Sequence, residues 1–131
     1  PLVPDARADY LVALEPLEAL RCREKIGPKT TVICNTEPIV PVTVTMGGPD
    51  YPALDSIRDL LDRRAGRLVW FNATEVAREA GLDKAANAAL LGALTSLGSF
   101  PVSSDAVRET LRARVPDRYW NPNLAAFQSA R

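Results

Sequence analysis

The chain has 131 residues, of which 47% are apolar and 24% charged, the composition of an ordinary globular domain long enough to bury a core. Its 16 Lys and Arg are matched by 16 Asp and Glu, so no net field draws it to nucleic acid or to an anionic membrane. With 2 cysteines and no histidine, a zinc site, a four-cysteine cluster and a disulfide framework all lack ligands. Cys22 and Cys34 are therefore expected to be small buried hydrophobes in a reducing cytosol.

The opening Pro1-Leu-Val-Pro-Asp has neither the basic start nor the apolar core of a signal peptide, and without Met it suggests a native start elsewhere. Ala8 to Leu14 is a short apolar run that predicts a buried strand, followed at Glu15-Pro16 by a helix with Pro in its first turn, running to about Glu24 and stopped by Gly27-Pro28. Thr30 to Cys34 is β-branched and apolar, a second buried strand. Strand, helix and strand at this spacing make a parallel crossover. The charge-free run from Ile39 to Gly48 is broken by Pro41, Thr43 and Thr45, too short and polar to span a bilayer. Within it Val42 to Thr45 alternates as a short edge or hairpin strand, closed by a turn at Gly47-Gly48-Pro49.

Asp50 is placed to cap a helix carrying Leu54, Ile57, Leu60 and Leu61 on one face and Arg63 and Arg64 in its last turn, with Gly66 as its stop. Arg67 to Phe71 reads as the third buried strand, and Asn72-Ala-Thr-Glu75 as the start of a short helix closed by Gly81. Lys84 to Leu97 predicts a helix that is small or apolar on nearly every side. It must be covered all round, and its alanines and Gly92 invite a neighbouring backbone to come close, inside the fold or across a subunit contact. Ser103 or Ser104 caps an amphipathic helix with Ala106, Val107, Leu111 and Val115 inward, and a final helix or turn runs from Leu124 to Ala130 after Asn121-Pro122-Asn123. The order predicts one α/β domain over residues 1–131, an open and mainly parallel sheet followed by helices.

Parallel sheets bind ligands at the carboxyl ends of their strands. Glu15, then Asn35, Thr36 and Glu37, then Asn72, Thr74 and Glu75 occupy those ends, and they are candidates either for lining one crevice or for capping helices and forming turns. Asn87, inside the small-residue helix, is expected to be half or wholly buried, its amide bonded to backbone, a ligand or a partner. No G-x-G-x-x-G or G-x-x-x-x-G-K-[ST] loop is present to cradle a phosphate. Absence of His closes the usual nucleophile–base pairs, and no spacing favours Glu15 with Glu37 as an acid–base pair.

Ala8 to Arg21 (Ala-Asp-Tyr-Leu-Val-Ala-Leu-Glu-Pro-Leu-Glu-Ala-Leu-Arg), Thr31 to Pro38, Asn72 to Ala77, Lys84 to Asn87, Leu90 to Leu94 and Asn123 to Phe127 together resemble, in order, the gamma domain of pyruvate and related 2-oxoacid:ferredoxin oxidoreductases. Pro1-Leu-Val-Pro is similar to a segment of the small subunit of the indolepyruvate type. The family begins with a strand and a glycine-rich loop, and the resemblance places that first third upstream of Pro1. It implies a Rossmann-like fold truncated at its N-terminus, and a sheet edge or face that seeks a second copy or a partner. It implies a cytoplasmic subunit without catalytic, cofactor-binding or metal-ligating residues of its own, in a complex that oxidatively decarboxylates aryl pyruvates to acyl-coenzyme A. Thiamine diphosphate and iron–sulfur clusters would sit on a large partner subunit and electrons would pass to ferredoxin. The alternative is a stand-alone nucleotide- or ligand-binding α/β module.

Overall fold

The extended run Tyr10–Ala13 forms β1, and the chain turns at once into a short helix, α1 (Pro16–Arg21), followed by a 3₁₀ turn at Arg23–Lys25 and β2 (Thr31–Asn35). A longer helix, α2 (Leu54–Arg64), leads to β3 (Arg67–Phe71). The computed structural model describes residues 2–39 and 50–130, so the strand expected at Val42–Thr45 and the turn at Gly47-Gly48-Pro49 lie outside the described residues. The chain forms two compact units, Pro1–Phe71 and Asn72–Arg131.

The first unit is the expected open sheet, in the order β1-β2-β3, parallel throughout. Its register aligns Ala13 with Cys34 and Cys34 with Trp70. Because side chains alternate across a strand, Leu11, Ala13, Val32, Cys34, Leu68 and Trp70 share one face. There they pack with Ala19 of α1 and with Ile57 and Leu61 of α2. Each fully buried Val or Ile contributes about 1.5–3 kcal/mol of transfer free energy. Val12 in the outer strand and Leu14 just past its end are 40% and 51% exposed, and among the described residues β1 pairs on one side only.

Two details of this unit differ from the sequence reading. Asp50 does not cap α2, whose N-cap is Ala53 with no side-chain hydrogen bond; Tyr51, Pro52 and Ala53 separate Asp50 from the first helical residue, Leu54. Gly66 does more than end that helix. A Cβ there would press on the Pro28 carbonyl oxygen and lie 3.1 Å from its carbon, so only glycine lets the chain pass while Gly66 N–H bonds the Thr30 carbonyl at 3.0 Å.

The second unit is helical: α3 (Ala73–Glu79), a 3₁₀ turn at Asp83–Ala85, α4 (Ala86–Ser96), α5 (Ser104–Arg114) and α6 (Asp117–Ser129). The helix expected over Lys84–Leu97 is thus split, its first turn tightened to 3₁₀. α4 is the apolar helix foreseen, burying Ala88, Ala89, Leu90, Gly92, Ala93 and Leu94, and it packs chiefly on α3, α5 and α6. Its small residues serve the interior of the fold. A Cβ on Gly92 would collide with the Phe127 carbonyl oxygen and sit 2.9 Å from the Phe127 carbonyl carbon, so α6 lies backbone-close at that point.

α5 packs more loosely than expected: Val107, Leu111 and Val115 are half-buried and Ala106 is exposed, with the Ser103 hydroxyl accepting from Ala106 N–H at 3.2 Å as the cap. α6 begins at Asp117, upstream of the expected Leu124, with Pro122 inside it. A mid-helix proline forfeits one backbone bond; Asn123 adds one back by donating its side-chain amide to the Tyr119 carbonyl at 2.8 Å. Complete burial of Ala126 and Phe127 rewards the continuous helix. Among the described residues, no helix is long and apolar enough to cross a membrane.

Candidate functional site

The sequence puts a carboxylate directly after β1 and an amide at the end of β2, and the parallel pairing brings these two ends side by side. Asn35, 4% exposed, donates its side-chain amide to the Leu14 carbonyl at 3.0 Å and so ties the tip of β2 to the tip of β1. Its carbonyl oxygen faces Glu37 N–H at 3.4 Å. Thr36 N–H donates to the Phe71 carbonyl at 3.0 Å, carrying the ladder to β3 one residue past the strand. Thr36 and Glu37 are both half-buried.

Glu15 is 5% exposed, and a buried carboxylate needs donors on its oxygens. It has them. Oε1 accepts from Glu18 N–H as the N-cap of α1, and Oε2 accepts from the Tyr51 hydroxyl at 2.9 Å. The Tyr51 oxygen in turn accepts from Leu17 N–H at 3.2 Å. Tyr51, two residues past the undescribed segment, therefore clasps the N-terminus of α1. Burial first, and then the hydrogen bond to Glu15, push its phenol well above the ordinary tyrosine range. Cys34 lies beneath, fully buried, its thiol donating to the Asn35 carbonyl at 3.3 Å. Burial, with the Glu15 charge adding to it, pushes that thiol up to about 12.

Tyr51 was not among the residues the sequence singled out. Asp50-Tyr51-Pro52 reads as the start of a helix, and the partner of its hydroxyl is 36 residues away in the chain. Cys22 departs from expectation in the other direction: it is exposed, whereas Cys34 is buried as foreseen. Cys22 closes α1 one residue past Arg21, where the short helix turns its last residues outward.

The remaining candidates belong to the second unit. Asn72 caps α3, its side-chain oxygen accepting from Glu75 N–H at 2.9 Å. Glu75 is exposed and pairs with Arg78 at 2.5 Å, and Thr74 is half-buried. Asn87 is exposed, contrary to the burial expected of it; it falls on the solvent side of α4 while Ala88, Ala89 and Leu90 turn inward. Chemically, the strand ends hold structure together through hydrogen bonds to backbone. Among the described residues no group of three or more His, Cys, Asp and Glu is placed to hold a metal ion, and one exposed and one buried thiol do not make a ligand set for an iron–sulfur cluster.

Residues 2–131 match the family described as pyruvate ferredoxin/flavodoxin oxidoreductase. The chain belongs to this family. Among curated proteins it is 38% identical over 97% of its length to a protein of Methanothermobacter thermautotrophicus named indolepyruvate oxidoreductase subunit IorB. Proteins of the same name from Thermococcus kodakarensis and Archaeoglobus fulgidus are 35% and 39% identical over 97% and 98% of the chain. The chain spans 65%, 63% and 64% of the length of these three relatives, slightly under two thirds. No solved structure matches it. The fold expected from the family resemblance, an open parallel sheet with helices following, is the one observed.

Proposed function

We propose that the chain is an accessory, non-catalytic part of a cytoplasmic 2-oxoacid:ferredoxin oxidoreductase of the indolepyruvate type. The complex would decarboxylate aryl pyruvates oxidatively to acyl-coenzyme A, with thiamine diphosphate and iron–sulfur clusters on a large partner subunit and ferredoxin as acceptor. The observation that carries this reading is the similarity, over 97–98% of the chain, to relatives named as one subunit of indolepyruvate oxidoreductase. Two features of the molecule support it. Its buried acid, Glu15, has each oxygen engaged in holding α1 and Tyr51, and Val12 of the outer strand and Leu14 just past its end are exposed, an apolar margin suited to being covered in an assembly.

The test is co-expression of the chain, tagged, with the thiamine-binding large subunit of an indolepyruvate oxidoreductase, followed by viologen reduction with indolepyruvate and coenzyme A. Co-purification, with turnover by the pair and none by the chain alone, is the expected result. Turnover by the chain alone, or failure of the two to associate, overturns the proposal.

A further inference from the structure

The second unit contains a cleft of about 480 Å³ between the turn after α3 and the junction of α5 with α6, within the usual size of small-molecule sites. Leu82, Val115 and Pro116 give it apolar walls, Tyr119 an aromatic one, and Lys84 and Arg114 stand on its lining. The state of these two cations sets the place apart. Elsewhere in the unit, Arg78, Arg108 and Arg112 each face a carboxylate, and Arg118 lies over the Tyr119 ring at 4.7 Å. Among the described residues, Lys84 and Arg114 have no acidic partner within ion-pair distance. The lining also carries one carboxylate, Asp83, whose nearest cation is Arg78 at 3.8 Å, so the two cations outnumber it.

Two cations outside any ion pair, beside an apolar and aromatic wall, suit a ligand with the reverse layout, an anionic head on a flat apolar body. The head gains charge-assisted hydrogen bonds, and the body removes the wall from water. Asn123, also on the lining, adds a polar edge that fixes orientation. From this geometry we infer that the cleft bounded by Lys84, Arg114 and Tyr119 binds a small organic carboxylate with a flat apolar body.

The experiment is amide NMR titration of the full chain with naphthoate, its uncharged isostere naphthamide, and inorganic phosphate. Naphthoate should shift the amides of Asp83, Lys84, Tyr119 and Asn123 saturably. Naphthamide, lacking the charge, and phosphate, lacking the apolar body, should each bind at least about tenfold more weakly. The double variant Lys84→Glu, Arg114→Glu should lose the shifts while the rest of its spectrum is retained, since both side chains are exposed. Silence with naphthoate overturns the inference. So do equal affinities for naphthamide or for phosphate, and so does undiminished binding by a folded double variant.

Discussion

Gly92→Ala puts the packing of α4 on α6 to a quantitative test. On an exposed helix this substitution stabilises by about 1 kcal/mol, because alanine loses less backbone freedom on folding. At Gly92 the added Cβ would overlap the Phe127 carbonyl oxygen and lie 2.9 Å from its carbon and 3.2 Å from its Cα. All three are backbone atoms that no rotamer change removes, so α6 must retreat as a body. Ala126 and Phe127 lie on that helix with no exposed surface, and loosening them costs about 1–3 kcal/mol on the scale of overpacked cores. The clash wins over propensity, and the net expectation is a loss of about 1–2 kcal/mol. Urea denaturation measures it, with Asn87→Ala as the control on the solvent side of the same helix, where a gain of about 0.5 kcal/mol is expected from propensity. If Gly92→Ala proves as stable as the parent or more so while the control behaves, the close approach of the two helices is not there.

Tyr51→Phe removes the donor to Glu15 and the acceptor for Leu17 N–H in one step; a loss of about 1–3 kcal/mol of unfolding free energy by urea denaturation is expected, and a neutral result would mean that the clasp on α1 does not hold in solution. Cys34 makes stability fall at alkaline pH. Its thiol is held up to about 12 in the fold against 9.0 when free, so the unfolded chain loses that proton first. The stabilisation is complete below about pH 9 and declines by about 1.4 kcal/mol per pH unit toward pH 12. Tyr51, shifted in the same direction, steepens the decline above its ordinary range. Cys34→Ala should flatten the curve between about pH 9 and 10, and an unchanged slope there would show that the thiol is not the cause. Finally, a thiol reagent at neutral pH should label Cys22 quickly and Cys34 only on unfolding, since one is exposed and the other buried; two fast thiols per folded chain would refute the placement of β2.

The parts of the fold legible in the sequence are those set by local rules. Arg67–Phe71 is a compact apolar and aromatic run between a glycine and a capping asparagine, and it forms the strand with those bounds. Asn72 and Ser103 cap as their type predicts because the cap bond spans three residues. Misreadings arise where distant contacts outvote those rules. Pro122 looked like a break, and the burial of Ala126 and Phe127 keeps the helix running through it. Asp50 looked like a cap, and the chain instead spends the next residue, Tyr51, on a partner across the fold. The alanine-rich stretch is buried along Ala88, Ala89, Leu90, Gly92, Ala93 and Leu94 but not on every side as its composition suggests, since Asn87 and Ser96 are exposed; and only the structure shows that α6 comes backbone-close to it at Gly92.

The same division runs through the polar strand ends. Sequence position alone offers Glu15, Asn35 and Asn72 equally as ligand contacts or as caps, because both roles want a short polar side chain beside free backbone groups. Hydrogen-bond geometry separates the roles: Glu15 accepts from Glu18 N–H, Asn35 donates to the Leu14 carbonyl, and Asn72 accepts from Glu75 N–H. Glu15 and Asn72 each cap the helix that follows them, and Asn35 ties the tip of β2 to that of β1. Lys84 and Arg114 are the opposite case. Thirty residues apart in sequence, they carry no motif, and they become a pair only because the helices bring them to one cleft. For such residues a missing local partner in the fold is a better guide to ligand chemistry than the pattern of the sequence around them.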